Sequence, residues 1–277
     1  MNSVLVTGGF DNLRSRHVRF LQEAAKWGNV HVALWSDETL AAREGKPPRF
    51  PESERQYLLA SLRFVDRVTL VKGALESDAL PDVEGVPAPL WIVDEESDTP
   101  GRRAQAEARS IPYRIIPNRD LSGFPPPPLA PPAFDSGRKR VMVTGCFDWF
   151  HSGHVRFFEE VSALGDLYVV VGHDANIRLL KGEGHPLLSQ AERLYMVSSV
   201  RHVYRAMIST GHGWMDAEPE IALVEPDFYV VNEDGDKPEK RAFCAEHGIE
   251  YVVLKRIPKA GLPRRESTLL RAQTRAR

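Results

Sequence analysis

Short apolar runs alternate with amphipathic stretches along the chain. Val141-Met142-Val143 is a run with β-branched residues that Thr144-Gly145 stops, the pattern of a strand entering a turn. Val155, Phe158 and Val161 then share one helical face, which Gly165 closes. Leu167 to Val171 is continuously apolar, as expected of a strand covered on both sides. Residues 191–200 have helical spacing, Phe228 to Val231 reads as another buried strand, residues 237–247 as a helix stopped at Gly248, and Tyr251 to Leu254 as a strand. Strands and helices in alternation predict an α/β fold with a parallel sheet. Ligands of such sheets bind beyond the carboxyl ends of the strands, at the topological switch point.

The pattern occurs twice. VLVTGGFDNLRSRHVRF from Val4 aligns without a gap with VMVTGCFDWFHSGHVRF from Val141, at an offset of 137. Gly8, Phe10, Asp11, His17 and Arg19 meet Gly145, Phe147, Asp148, His154 and Arg156. After one residue of slippage, Glu54-Arg55 matches Glu192-Arg193, Asp98 matches Asp236, and Tyr113 matches Tyr251. Order kept over such a span predicts a duplicated domain. Between the copies, GFPPPPLAPPAF places six prolines in twelve positions, which excludes helix and central strand and predicts a stiff, extended linker. The expected organisation is a domain over 1–122, a proline-rich linker over 123–137 and a domain over 138–277.

Composition narrows the class. Hydrophobic residues are 42% and charged residues 27% of the 277, ordinary for a globular chain. The formal charge of −2 supplies no global basic field for nucleic acid. Two cysteines, Cys146 and Cys244, cannot build a disulfide framework and fit a reducing cytoplasm. No apolar run approaches the ~20 residues of a transmembrane helix, and the first residues do not read as a signal peptide. A cytoplasmic protein without a membrane span is expected.

The candidate chemistry lies between a strand and a helix, in Gly145-Cys146-Phe147-Asp148-Trp149-Phe150-His151-Ser152-Gly153-His154. Two histidines three apart are common by accident, and a zinc site is disfavoured because no third clustered ligand has metal spacing. The whole ten-residue string is far more specific. It resembles the G-x-F-D-x-x-H-x-G-H signature of the cytidylyltransferase-like nucleotidyltransferases. Two tandem Rossmann-like nucleotidyltransferase domains with parallel sheets are the fold this implies. The resemblance makes His151, His154 and Lys181 catalytic. It assigns Gly145, Cys146, Phe147, Asp148, Gly153, Arg193, Asp234, Arg265, Ser267 and Thr268 to the nucleotide, and no protein side chain to a metal. In this reading Gly145 lets backbone approach phosphate, and Gly153 leaves room for the nucleotide between the imidazoles. His154 stands at a helix start that favours anions.

Other segments extend the likeness. Residues 178–186, RLLKGEGHP, resemble the basic loop of these enzymes, closest to the heptose-phosphate branch, and Lys181 would hold phosphates. SQAER, residues 189–193, resembles the family's helix start; Ser189 and Glu192 also fit a capping box. RREST, residues 264–268, resembles the closing signature, with Glu266 in place of an apolar residue; helix capping by Ser267 is the plain alternative. Asp234 and Asp236 both sit where the family has an acidic turn, and the choice between them stays open. Trp214 reads either as packing or as a wall of an acceptor pocket.

The tandem layout resembles the ethanolamine-phosphate cytidylyltransferases. It implies transfer of CMP from CTP to a small phosphorylated acceptor, phosphoethanolamine or a polyol or sugar phosphate, with Mg²⁺ held mainly by nucleotide phosphates. An adenylyltransferase using ATP and a non-catalytic nucleotide-binding protein are the alternatives. In the first copy Arg14 and Arg16 replace His151 and Gly153, and the closing signature is absent. That domain is expected to be silent, serving as partner in an intramolecular pseudo-dimer or binding a regulator; a homodimer is the other arrangement.

Overall fold

The computed structural model describes residues 3–73, 78–83, 89–126, 136–268 and 270. The chain divides into two compact units, Met1–Phe124 and Pro125–Arg277. The division falls within the proline-rich segment 123–137. Most of that segment, 127–135, lies outside the described residues.

In the first unit β1 (Ser3–Gly8), α1 (Ser15–Ala25), β2 (Asn29–Trp35), α2 (Asp37–Glu44), α3 (Glu52–Ala60), β3 (Arg67–Val71), β4 (Leu90–Asp94), α4 (Pro100–Ala108) and β5 (Tyr113–Ile116) follow in order. The strands form a parallel sheet in the order β3-β2-β1-β4-β5. In the second unit the order is β6 (Arg140–Gly145), α5 (Ser152–Ser162), β7 (Asp166–Val171), α6 (Asp174–Lys181), α7 (Gln190–Ser198), β8 (Arg205–Ile208), α8 (Glu218–Val224), β9 (Phe228–Asn232), α9 (Pro238–Glu246) and β10 (Glu250–Leu254). Its parallel sheet runs β10-β9-β6-β7-β8. Both units are Rossmann-like and share one strand order. The order reverses direction between β6 and β9, where a crevice opens at the strand ends.

Burial explains the strands. Every residue of β7 is buried, and a fully buried Val or Leu contributes roughly 1.5–3 kcal/mol through its apolar surface. Met142, Tyr168, Val170, Tyr229 and Ile221 form one continuous core. Leu5, Ala33, Trp91, Val93 and Ala106 do the same in the first unit. Cys244 is buried in the second core, where desolvation pushes its thiol up to about 11; it packs as a small apolar residue. Among the described residues no helix is long and apolar enough to cross a membrane.

One local expectation fails. Residues 178–181 are not loop but the last turn of α6, which ends at Gly182 with positive φ. The turn forms because Ile177 is buried beneath it while Leu179 and Leu180 stay exposed. The glycine-rich run that follows disguises this short helix in the sequence.

Candidate active site

The turn from β6 to α5 is built around an aromatic ring. Phe147 adopts a φ of 52°, costly for a side chain with a Cβ, and its ring folds back over the end of β6. A Cβ on Gly145 would lie 2.7 Å from that ring. Gly145 therefore makes room for Phe147, and it also lines the cavity described below. The ring then meets His154 edge-on, with centroids 5.3 Å apart. The first unit repeats this turn, with Phe10 at φ 49° and 5.8 Å from His17.

The two imidazoles do come together. His151 and His154 stack with ring centroids 4.0 Å apart and planes 20° apart. This overturns the idea of a nucleotide between them: stacked rings leave no gap. It also changes the reason for Gly153, whose Cβ would lie 2.9 Å from the His151 ring. His151 caps α5, and its Nδ1 accepts the Gly153 N–H at 3.1 Å. The His154 N–H goes to the His151 carbonyl at 3.0 Å. The helix start thus spends both N–H groups internally and is not an open anion cradle at those positions.

His151 Nε2 and His154 Nδ1 are buried with no hydrogen-bond partner, an arrangement that costs free energy unless something else satisfies it. Desolvation by burial lowers the His151 pKa to about 3, with Arg256 and Arg265 acting in the same direction. His154 is also lowered, first by burial, then by His151, Arg256 and Lys181. Both rings are neutral at pH 7. On unfolding they regain a pKa near 6.5, so the unfolded chain binds more protons below that pH. Their contribution to stability is present above about pH 6.5 and is lost as pH falls toward 3. In a proton NMR titration of the histidines, the signals of these two rings are expected to stay fixed between about pH 8 and pH 5. Titration of both near 6.5 would contradict the burial.

The pair faces a cavity of ≈ 440 Å³ at the ends of β6 and β9. Gly145, Cys146, Phe147 and Asp148 line its floor, with His151, Gly153 and His154 beside them. Lys181 reaches it from the end of α6, Asp234 from the turn after β9, and Ser267 and Thr268 from the C-terminal segment. Cys146 is half-buried, and burial raises its thiol pKa, so it is no ready nucleophile. Asp148 spends its carboxylate on the Leu187 and Leu188 N–H groups at 2.7–2.9 Å. It fastens the loop after α6, as Asp11 does through Arg49 and Phe50. The Ser267 hydroxyl donates to the Trp149 carbonyl at 3.2 Å rather than capping its own helix.

Two residues assigned to the nucleotide do not line the cavity. Arg193 is 0% exposed. Its guanidinium donates to the carbonyls of Leu188, Cys146 and Gly172 at 2.7–3.1 Å and to Asp174 at 2.7 Å. Four of its five N–H donors are spent in this way; Arg193 holds the loops that form the floor. Arg55 makes the same set of bonds in the first unit, to Phe50, Gly9, Trp35 and Asp37. Arg265 lines a small neighbouring crevice instead of the cavity.

The acidic pair is resolved by geometry. Asp236 is held by both Nε and Nη2 of Arg241 and by the Tyr251 hydroxyl, while Asp234 lines the cavity. Trp214 is 64% exposed on a short turn and is not part of the cavity wall.

Sequence reading missed Arg256, Asn232 and Lys240, which all line the cavity. Arg256 pairs with Asp234 at 2.7 Å and donates to the Arg265 carbonyl at 3.0 Å. The available signal was position: Asn232 ends β9, Arg256 stands just past β10 and Lys240 is on the helix after β9, where ligands of such sheets bind.

The first unit has its own cavity of ≈ 270 Å³. There Arg16 donates to Glu96 at 2.8 Å and Asn118 at 2.7 Å, and lies 3.8 Å from Asp94. Position 256 of the second unit corresponds to Asn118, and the helix-ending Lys181 to Glu44. The cations that surround the histidine pair are thus absent from this copy.

Residues 142–266 match the cytidylyltransferase-like family model. The FAD synthase of Aciduliprofundum boonei is 38% identical over 125 residues, 44% of this chain and 80% of that protein. The FAD synthase of Methanopyrus kandleri is 39% identical over 106 residues, 37% of this chain and 67% of that one. The bifunctional protein HldE of Wolinella succinogenes is 36% identical over 107 residues, 37% of this chain but 21% of its own length. A lipopolysaccharide core biosynthesis protein from Thermoplasma volcanium, known from its crystal structure, is 29% identical over 43% of this chain and 98% of its own, with a TM-score of 0.38. Similarity at this level across most of a whole relative, on a strand–turn–helix built around a histidine pair, makes the chain a member of the cytidylyltransferase-like nucleotidyltransferase superfamily.

Proposed function

We propose that the second unit transfers a nucleotidyl group from a nucleoside triphosphate to a small phosphorylated acceptor. The observation that carries this is the neutral, stacked His151–His154 pair, with a buried unpartnered nitrogen on each ring, beside a cavity that Lys181 and Arg256 make basic. In the transfer, an acceptor phosphate oxygen bonds to the α-phosphorus while its bond to the β-phosphate oxygen breaks. Pyrophosphate leaves with that electron pair. No covalent enzyme intermediate is needed, so catalysis is positioning and charge stabilisation. His154 and His151 donate to the phosphate oxygens on which charge grows, and Lys181 and Arg256 neutralise the triphosphate.

The donor set suits Mg²⁺ bound chiefly through phosphate and water. Asp148 is committed to the Leu187 and Leu188 N–H groups, and Asp234 to Arg256. When bound, the ion supplies neutralisation of the triphosphate.

CTP is the donor implied by the tandem layout, and the relatives named FAD synthase, whose product carries an adenylyl group, favour ATP. The first unit is proposed to be silent: Arg16 spans its cavity between carboxylates, and the counterparts of Lys181 and Arg256 carry no positive charge. Pyrophosphate release by the full chain, measured with each of the four nucleoside triphosphates and a panel containing FMN, glycerol 3-phosphate, phosphoethanolamine and sugar phosphates, tests the reading. Release with one donor and dependent on one acceptor is expected. Tight nucleotide binding without release from any pair would make the protein a nucleotide binder instead.

A further inference from the structure

We propose that Lys240 binds the phosphate of the acceptor, at the end of the cavity away from the histidine pair. This rests on the nucleotidyltransferase reading and adds a residue and a location to it.

Lys240 lies on α9, is half-buried and lines the cavity. Among the described residues its ammonium has no hydrogen bond and no ion pair. It lies over the face of Tyr229, whose centre is 5.8 Å from Nζ. The carboxylates that act on it are engaged elsewhere. Asp216 accepts the Ser209 hydroxyl at 2.7 Å, and Asp236 holds Arg241 and Tyr251. Burial lowers the Lys240 pKa, with Asp216 the largest opposing influence. An ammonium partly stripped of water and without a direct ion pair gains from an anion placed beside it.

Position separates this charge from the donor site. Lys181 and Arg256 act on His154, and Lys181 on Cys146. Lys181 enters after β7 and Lys240 after β9, with β6 between those strands. Two unpaired cations therefore flank the switch point from opposite sides of one cavity. In-line displacement at the α-phosphorus needs two separated anion sites, one for the leaving pyrophosphate and one for the attacking phosphate. With Lys181 beside the histidines on the donor side, Lys240 is left for the acceptor.

The test uses the full chain and two probes: an α,β-methylene nucleoside triphosphate, which cannot be cleaved, and inorganic phosphate added to that complex and followed by phosphorus NMR. Lys240→Gln should leave binding of the triphosphate within about twofold and weaken phosphate by about tenfold, the size expected for one charge-assisted hydrogen bond. Lys240→Arg should restore most of the loss. Loss of triphosphate binding with phosphate unchanged would overturn the assignment, and so would no effect on either. If the wild type binds no triphosphate, the nucleotidyltransferase reading fails on its own. Phosphate titrated without nucleotide then decides Lys240: weaker binding in Lys240→Gln supports it as an anion site, and unchanged binding rejects it. Lys240→Met, which keeps the apolar stem, replaces the glutamine variant should that one not fold.

Discussion

His154→Ala is expected to lower turnover of nucleotidyl transfer by about 10²–10³-fold, the usual loss on removing one donor aimed at developing charge. The KM for the triphosphate should change far less, because Lys181 and Arg256 remain to hold it. His17→Ala is the matched control. Both histidines sit in the same turn, each edge-on to a phenylalanine. Only His154 has a stacked imidazole partner; Lys181 and Arg256 act on it, whereas the cations acting on His17 are Arg16, which is bound to Glu96 and Asn118, and Arg14. The control should leave turnover within about twofold. Equal losses in both variants would falsify the division of labour between the units, and an unchanged His154→Ala would remove the catalytic role of the pair.

Arg193→Met is expected to destabilise the second unit by about 3–5 kcal/mol, as removal of one member of a buried charged network does. The substitution strands three main-chain carbonyls and leaves Asp174 without its partner. Against a typical domain stability of roughly 5–15 kcal/mol, that is a large fraction. Arg193→Lys should recover little, because one ammonium cannot span the carbonyls of Leu188, Cys146 and Gly172. Urea unfolding followed by circular dichroism measures both variants. Activity should fall together with folded fraction. A variant that unfolds at the wild-type midpoint but turns over slowly would return Arg193 to the nucleotide-binding groups.

The neutral state of the histidine pair joins these two results. Burial that forbids the rings a second proton in the free protein also strengthens any hydrogen bond they make to a phosphate. Arg193 maintains that burial indirectly, by fixing the Cys146 carbonyl in the turn that carries Phe147 over β6.

The strands were legible because their signal is local. A run such as Leu167 to Val171 announces its burial residue by residue, and β7 spans 166–171 as the run suggests. The sequence also grouped residues around the turn at 145–154 that the fold brings together, since eleven of the thirteen assigned residues line one cavity. It could not tell ligand from scaffold. Asp148 and Arg193 look nucleotide-binding in the motif but bond mainly to main chain as many as 47 residues away. Asp234 and Asp236 stand two apart, yet Arg241 and Tyr251 claim one and the cavity the other. Arg256 and Lys240 belong to no turn motif and become neighbours of the histidines' cavity only when β9 pairs with β6 and β10 with β9. A hydrogen-bond donor has a few fixed sites to satisfy, and which groups reach them is decided by the packing of distant segments, which hydrophobic periodicity does not encode.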